Sequence, residues 1–287
     1  MAALARGRSR PDQTNRLGAM LTSAVCRRAH FEENWLKLWS SALGEPDPLG
    51  KPHGSHRKIW EYCAVAQALA ERDMLRAGRL GLGFAVGTEP LPAAFAARGA
   101  VVLATDLRLA DSGGIWTATG QHAASKEALW RPGLVGREAF ERRVAFADAD
   151  MRTLDGLLPI WDFIWSSCAL EHLGTLDAGS DFVVASARLL RPGGVAAHTT
   201  EFNVSSGTAT IEAGPSVLYR PCDVERLAER LRSEGCRLEA PDFFPGDRPE
   251  DLQPDEPPYF QGRRKHIKLR FGDHVATSML LILRKAA

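Results

Sequence analysis

The segment Leu80-Gly81-Leu82-Gly83-Phe84-Ala85-Val86-Gly87-Thr88-Glu89 constrains the fold more than any other stretch of the chain. A run with the character of a buried strand, Leu80 to Phe84, enters a turn built from glycine and alanine. A helix from about Pro90 to Arg98 follows at once. Small residues let the backbone bend sharply there, and let a ligand approach where a Cβ would exclude it. Thr88 is placed to cap the helix, Pro90 suits its first turn, and Gly99 ends it. Val101 to Thr105 is then a second strand, closed by Asp106. Strand, helix and strand in this order predict a parallel pair joined by a right-handed crossover.

The alternation continues. Strands are predicted at Val144–Phe146, Trp161–Ser166 and Val195–Thr200, near Leu238 and over Ala276–Leu283. Helices are predicted from Asp177 to Leu190 and, capped by Asp223, up to Glu234 with a stop at Gly235. The expectation is an α/β fold: one mostly parallel, seven-stranded sheet with helices on both faces. Residues 1–55 read as a peripheral, partly disordered N-terminal extension, with a short aromatic helix from Phe31 to Leu43 and a turn-forming segment at 44–52. Six arginines and one acid, Asp12, lie between Met1 and Arg28, which we read as an Ala/Arg-rich leader rather than a transit peptide. The main domain is expected over residues 56–287, with short helices in an irregular stretch at about 108–142. Residues 241–262 hold six prolines and six acids against one arginine, and read as a lid-like or disordered insertion.

Along these strand ends stands an ordered set: Gly83-x-Ala85-x-Gly87, Asp106, Asp150-Met151, Asp162-Phe163-Ile164-Trp165-Ser166 leading to Leu170-Glu171-His172-Leu173, and Leu190-Arg191-Pro192-Gly193-Gly194. The set resembles the Rossmann-like class I S-adenosylmethionine-dependent methyltransferases over about residues 57–240. The resemblance implies S-adenosyl-L-methionine as cofactor. It places Gly83, Ala85 and Gly87 against the amino-acid portion, Asp106 against the ribose, and Asp150 with Met151 against the adenine. Ser166 would face the cofactor or the acceptor. Two positions depart from the family pattern: Ala85 stands for its middle glycine, and Gly81 for an acid, a loss for which Glu89 could compensate by meeting the cofactor's ammonium.

An oxygen acceptor also needs a base near the fourth or fifth strand end. His172, His198 and Glu201 are the candidates, and His172 reads equally as a packing residue at a helix start. Strand alternation puts His198 and Thr200 on one face, and Thr199 and Glu201 on the other. A divalent metal on His198 and Glu201, helped by His266 or Asp150, is a third reading, and no metal ligand set is assigned. Trp60 is expected to pack a helix and Tyr62 to reach a pocket mouth.

Lys and Arg number 36 against 35 Asp and Glu, so no bulk field draws in nucleic acid or membrane, and a small-molecule acceptor is expected, hydroxylated or sugar-like. Glu256-Pro257-Pro258-Tyr259 reads as loop rather than as a nucleic-acid methylation motif, and the basic run 263–270 as a solvated face balancing the acidic insertion. Five scattered cysteines predict reduced thiols in a cytoplasmic protein. A nicotinamide-dependent (NAD(P)) oxidoreductase is the main rival, but it wants G-x-G-x-x-G, and here three residues separate Gly83 from Gly87. A non-catalytic cofactor-binding protein is the other. The sequence carries no signal of oligomeric state.

Overall fold

The computed structural model describes residues 20–50, 56–111, 121–261 and 264–287. The leader up to residue 19, the end of the 44–52 turn segment, part of the irregular stretch, the last residue of the insertion (Gly262) and Arg263 lie outside the described residues. The strands are β1 Ala24–Val25, β2 Leu80–Phe84, β3 Val101–Asp106, β4 Val144–Asp148, β5 Trp161–Ser167, β6 Leu190–Asn203, β7 Cys236–Leu238, β8 Leu269–Phe271 and β9 His274–Lys285. The helices are α1 Asn34–Ala42, α2 His56–Glu71, α3 Leu91–Ala97, α4 Arg137–Arg143, α5 Leu176–Leu189, α6 Pro221–Ser233 and α7 Pro249–Leu252.

All nine strands form one sheet, in the order β1-β9-β6-β5-β2-β3-β4, with β7 and β8 also paired to β9. The five strands β2 to β6 are parallel, whereas β9 runs antiparallel to β6 and to β1, β7 and β8. The expected count of seven is therefore corrected to nine. The two strands not expected, β1 and β8, span two and three residues and carry too little alternation to register in the sequence, whereas the strand predicted near Leu238 is β7.

Period-two alternation decides which face each side chain serves. Phe163 and Trp165 of β5, with Leu280 and Ile282 of β9, join the core under α2, α3 and α4. Ile164 of β5, with Met279, Leu281 and Leu283 of β9, joins the opposite core under α5 and α6. Gly81 and Gly83 face the first core, and a Cβ on either would lie 2.2–2.3 Å from the ring of Phe163 or Trp165. Burying those rings stabilises the fold by about 2–3 kcal/mol each. A strand glycine forfeits only ~0.5–1 kcal/mol, so ring packing wins at both positions.

Several local expectations shift. Pro90, not Thr88, occupies the N-cap position of α3, while Gly99 follows its end at φ +99°. The N-cap of α6 is Arg220, and Asp223 sits at the third helical position, accepting the Arg220 backbone N–H at 2.9 Å. Leu190, expected to end its helix, and Arg191 to Gly194, ahead of the strand expected from Val195, are already strand, with a register shift opposite Trp161–Phe163.

The segment read as peripheral is built into the protein. Cys26, Phe31, Leu36 and Trp39 enter the first core, and β1 extends the sheet. The acidic insertion packs on this segment: Arg27 pairs with Asp242 and Arg28 with Glu250. Nor is the following basic run wholly solvated. Lys268 is buried against Asp251 and the carbonyl of Cys26, and His266 is buried against Asp255. Glu256 to Tyr259 is loop. All five cysteines are free, and among the described residues no helix is long and apolar enough to cross a membrane.

Candidate active site

Strand order reverses between β2 and β5, so the loops after these two strands diverge and leave a crevice at their carboxyl ends. A cavity of about 480 Å³ occupies it, inside the ~300–1,000 Å³ range of small-molecule sites. The turn after β2 supplies Ala85 to Glu89, β3 supplies Asp106, the loop after β4 supplies Asp150 and Met151, and the end of β5 supplies Ser167 and Cys168.

Asp106 is fixed by backbone donors. The N–H groups of Gly87 and Ala123 reach its Oδ2 at 3.1 and 3.0 Å, and that of Leu107 its Oδ1 at 2.8 Å. Burial still raises its pKa despite these bonds. Ala85 holds a left-handed φ of +48°, and Gly87 one of +50° with its Cα 's missing Cβ directed at the Gln121 carbonyl, 2.2 Å away. Glycine is therefore required at 87, whereas Ala85 carries the strain of its conformation.

Glu89 is 4% exposed, and burial pushes its carboxyl up to about 8. Trp165 donates its indole N–H to Oε1 at 2.6 Å. Asp150 lines the same cavity while engaged by Arg152 at 2.7 Å, which holds its pKa below the usual carboxylate range. Met151 is buried beside it. His122 also lines the wall: its Nε2 meets the Leu107 carbonyl at 2.6 Å, and its buried Nδ1 has no partner among the described residues.

The structure thus brings together Ala85, Gly87, Glu89, Asp106, Asp150, Met151 and His172 around one cavity, with Tyr62 at its wall. Gly83 and Ser166 are not among the residues that line it. Gly83 serves the packing of Trp165, and Ser166 shares a 2.8 Å hydrogen bond with Nδ1 of His198. His198, expected toward the mouth, is wholly buried, with its Nε2 3.4 Å from Ser186 of α5; burial drops its pKa to about 3. Glu201 points to the other face, where it pairs with Arg57 of α2. Because the two side chains leave β6 on opposite faces, they cannot share a metal ion. His266 is committed to Asp255 at 2.8 Å and Asp150 to Arg152. No described residue of the 241–262 insertion lines the cavity.

Three lining residues escaped the sequence reading, Lys58 on α2, His122 and Cys168, as did Arg57, which pairs with Glu201 behind them. Lys58 reaches Glu61 at 2.9 Å and lines the cavity. The signal available was Arg57-Lys58-x-x-Glu61, charges three and four residues apart on a helix that is otherwise apolar.

No protein-family model matches the sequence, and no curated protein does. Solved structures similar to this chain include the magnesium protoporphyrin IX methyltransferase of Synechocystis with bound SAH, at 14% identity, 90% of this chain, 98% of that one and a TM-score of 0.47. A Burkholderia thailandensis 1,6-didemethyltoxoflavin-N1-methyltransferase is similar at 16% identity, 92% of each chain and 0.45. The cyclase SpnF is similar at 16% identity, 79% of this chain, 84% of that one and 0.49.

Proposed function

We propose that this chain is an S-adenosyl-L-methionine-dependent methyltransferase that passes a methyl group to a small-molecule acceptor by in-line displacement. One observation carries the reading: the Ala85–Glu89 turn, Asp106 and the Asp150-Met151 pair, distant in sequence, line a single cavity at the point where the strand order reverses. These are the positions that the sequence resemblance assigns to the methionine portion, the ribose and the adenine.

The cofactor, when bound, supplies a methyl group activated on a sulfonium, so the protein's share is alignment and exclusion of water. Asp106, held by three N–H groups, keeps acceptor capacity on Oδ1 for ribose hydroxyls. Met151 offers an apolar edge, and His122 Nδ1 an unused acceptor. Glu89, ionised, would face the ammonium. Lys58, Tyr62, Cys168 and His172 make up a mixed polar wall left for the acceptor, which suits a hydroxylated or sugar-like molecule. His172 shares a 2.8 Å hydrogen bond through Nδ1 with the Pro215 carbonyl, its Nε2 stands 3.8 Å from Glu171 Oε1, and it is the side chain of this wall that would take a proton from an acceptor hydroxyl. His198 and Glu201 lie behind this wall and are assigned no proton transfer. The free thiols suit a reducing, cytoplasmic compartment.

Titration calorimetry with S-adenosylhomocysteine tests the reading. Micromolar binding that disappears in Asp106→Ala supports it, and binding of NAD(P) in its place overturns it.

A further inference from the structure

At the acceptor wall, three elements meet in a cluster of which Cys168 alone lines the cavity, while Glu171 and Glu201 lie behind it and have no part in the methyltransferase reading. Cys168 follows β5 at a φ of +48°, Glu171 lies in the 3-10 turn Leu170–His172, and Glu201 is on β6. The Cys168 sulfur and one carboxylate oxygen each from Glu171 and Glu201 lie within 4.8 Å of one another.

Each carboxylate is anchored through one oxygen, and the other accepts no hydrogen bond among the described residues. Glu171 is 0% exposed; its Oε2 accepts the Thr200 hydroxyl at 3.2 Å, while Oε1 has only His172 Nε2 near it, at 3.8 Å. Glu201 is 7% exposed; its Oε1 pairs with Arg57, while Oε2 has no hydrogen-bond partner among the described residues. A buried carboxylate oxygen without a donor costs ~1–3 kcal/mol or more, and two carboxylates that each carry one, grouped with a thiol, call for a shared ligand.

We propose that Cys168, Glu171 and Glu201 form a binding site for a divalent cation that accepts a thiolate, Zn²⁺ foremost. A sulfur donor excludes the preferences of Mg²⁺ and Ca²⁺, and two carboxylates suit Zn²⁺ beside it. Ligand distances of roughly 2.0–2.3 Å draw the donors closer than they now stand, by small rotations of the three side chains. The Cys168 thiol now donates to Glu61 Oε1 at 3.1 Å; on binding it loses that proton to solvent through the cavity, which Cys168 lines. Charge then closes locally. A thiolate and two carboxylates balance one divalent cation and Arg57, while Lys58 and Glu61 neutralise each other. Three protein ligands leave a coordination position for water or substrate.

The inference stands apart from the identity of the cofactor and is tested by metal binding alone. Full-length protein with reduced thiols, titrated with Co²⁺, should bind one equivalent with a near-ultraviolet sulfur-to-cobalt charge-transfer band, displaced by stoichiometric Zn²⁺. Glu171→Gln, which keeps the side chain's shape, should lose tight binding, Cys168→Ser should lose the band, and Cys222→Ser should change neither. Absence of saturable binding by the wild-type protein overturns the proposal whatever the variants do. So does a band that survives in Cys168→Ser, or undiminished affinity in folded Glu171→Gln.

Discussion

Trp165 donates its indole N–H to the Glu89 carboxylate, joining the middle of the sheet to the turn that opens the cavity. The same indole fills the space above Gly83. One side chain therefore explains a strand glycine and places a buried acid. Glu89 titrates near 8 instead of 4.5, so between those values the native protein keeps a proton that the unfolded chain has released. That contribution to stability is fully present below pH 4.5, falls as pH rises through the window and is gone above about pH 8. Glu89→Gln, which retains an oxygen for Trp165, should flatten the decline, read as thermal midpoint against pH. In the same window, binding of S-adenosylhomocysteine through its ammonium should release a proton, seen as a buffer-dependent enthalpy in wild type and not in Glu89→Gln.

Asp106 joins ligand recognition to local structure. Asp106→Ala strands the buried N–H of Ala123 and those of Gly87 and Leu107. It should lower stability by about 2–3 kcal/mol and abolish S-adenosylhomocysteine binding. Asp106→Asn keeps one acceptor and should retain most of the stability while weakening affinity by roughly tenfold or more. Urea unfolding and calorimetry on the two variants separate these effects.

Two small residues, one near the end of β2 and one in the turn after it, should respond in opposite directions. Ala85→Gly relieves a left-handed alanine and should stabilise by up to ~1 kcal/mol. Gly83→Ala places a Cβ 2.3 Å from the Trp165 ring and should destabilise by ~1–3 kcal/mol. Denaturant midpoints for the pair check both signs.

His198 should behave as a core residue. Its pKa lies near 3 in the folded protein against 6.5 ordinarily, so the stability it supports is present above pH 6.5 and is lost as pH falls toward 3. Its imidazole proton resonances should hold constant across that interval while exposed histidines shift. His198→Asn should lower the thermal midpoint and leave S-adenosylhomocysteine affinity within about twofold, since His198 is not among the residues lining the cavity.

Periodicity alone located the strands that matter, because each buried parallel strand is a compact apolar run bounded by turn residues. It also set the faces: the opposition of His198 and Glu201 follows from the two-residue repeat of β6. Asp106, Asp150, Met151 and Glu89 could be found because each sits at, or within five residues of, the carboxyl end of its strand, where an open parallel sheet gathers ligands. The strand near Leu238 was legible, but the two- and three-residue strands β1 and β8 were too short to announce themselves, so the sheet was undercounted by two. What only the tertiary structure decided was what each polar residue faces. Arg57, Lys58 and Glu61 meet Glu201, the cavity and Cys168 across more than a hundred residues of chain, because α2 packs over the carboxyl ends of β5 and β6. Local sequence fixes the direction a side chain leaves its own strand or helix; its partner depends on which element lands opposite, and that is set by packing the whole core.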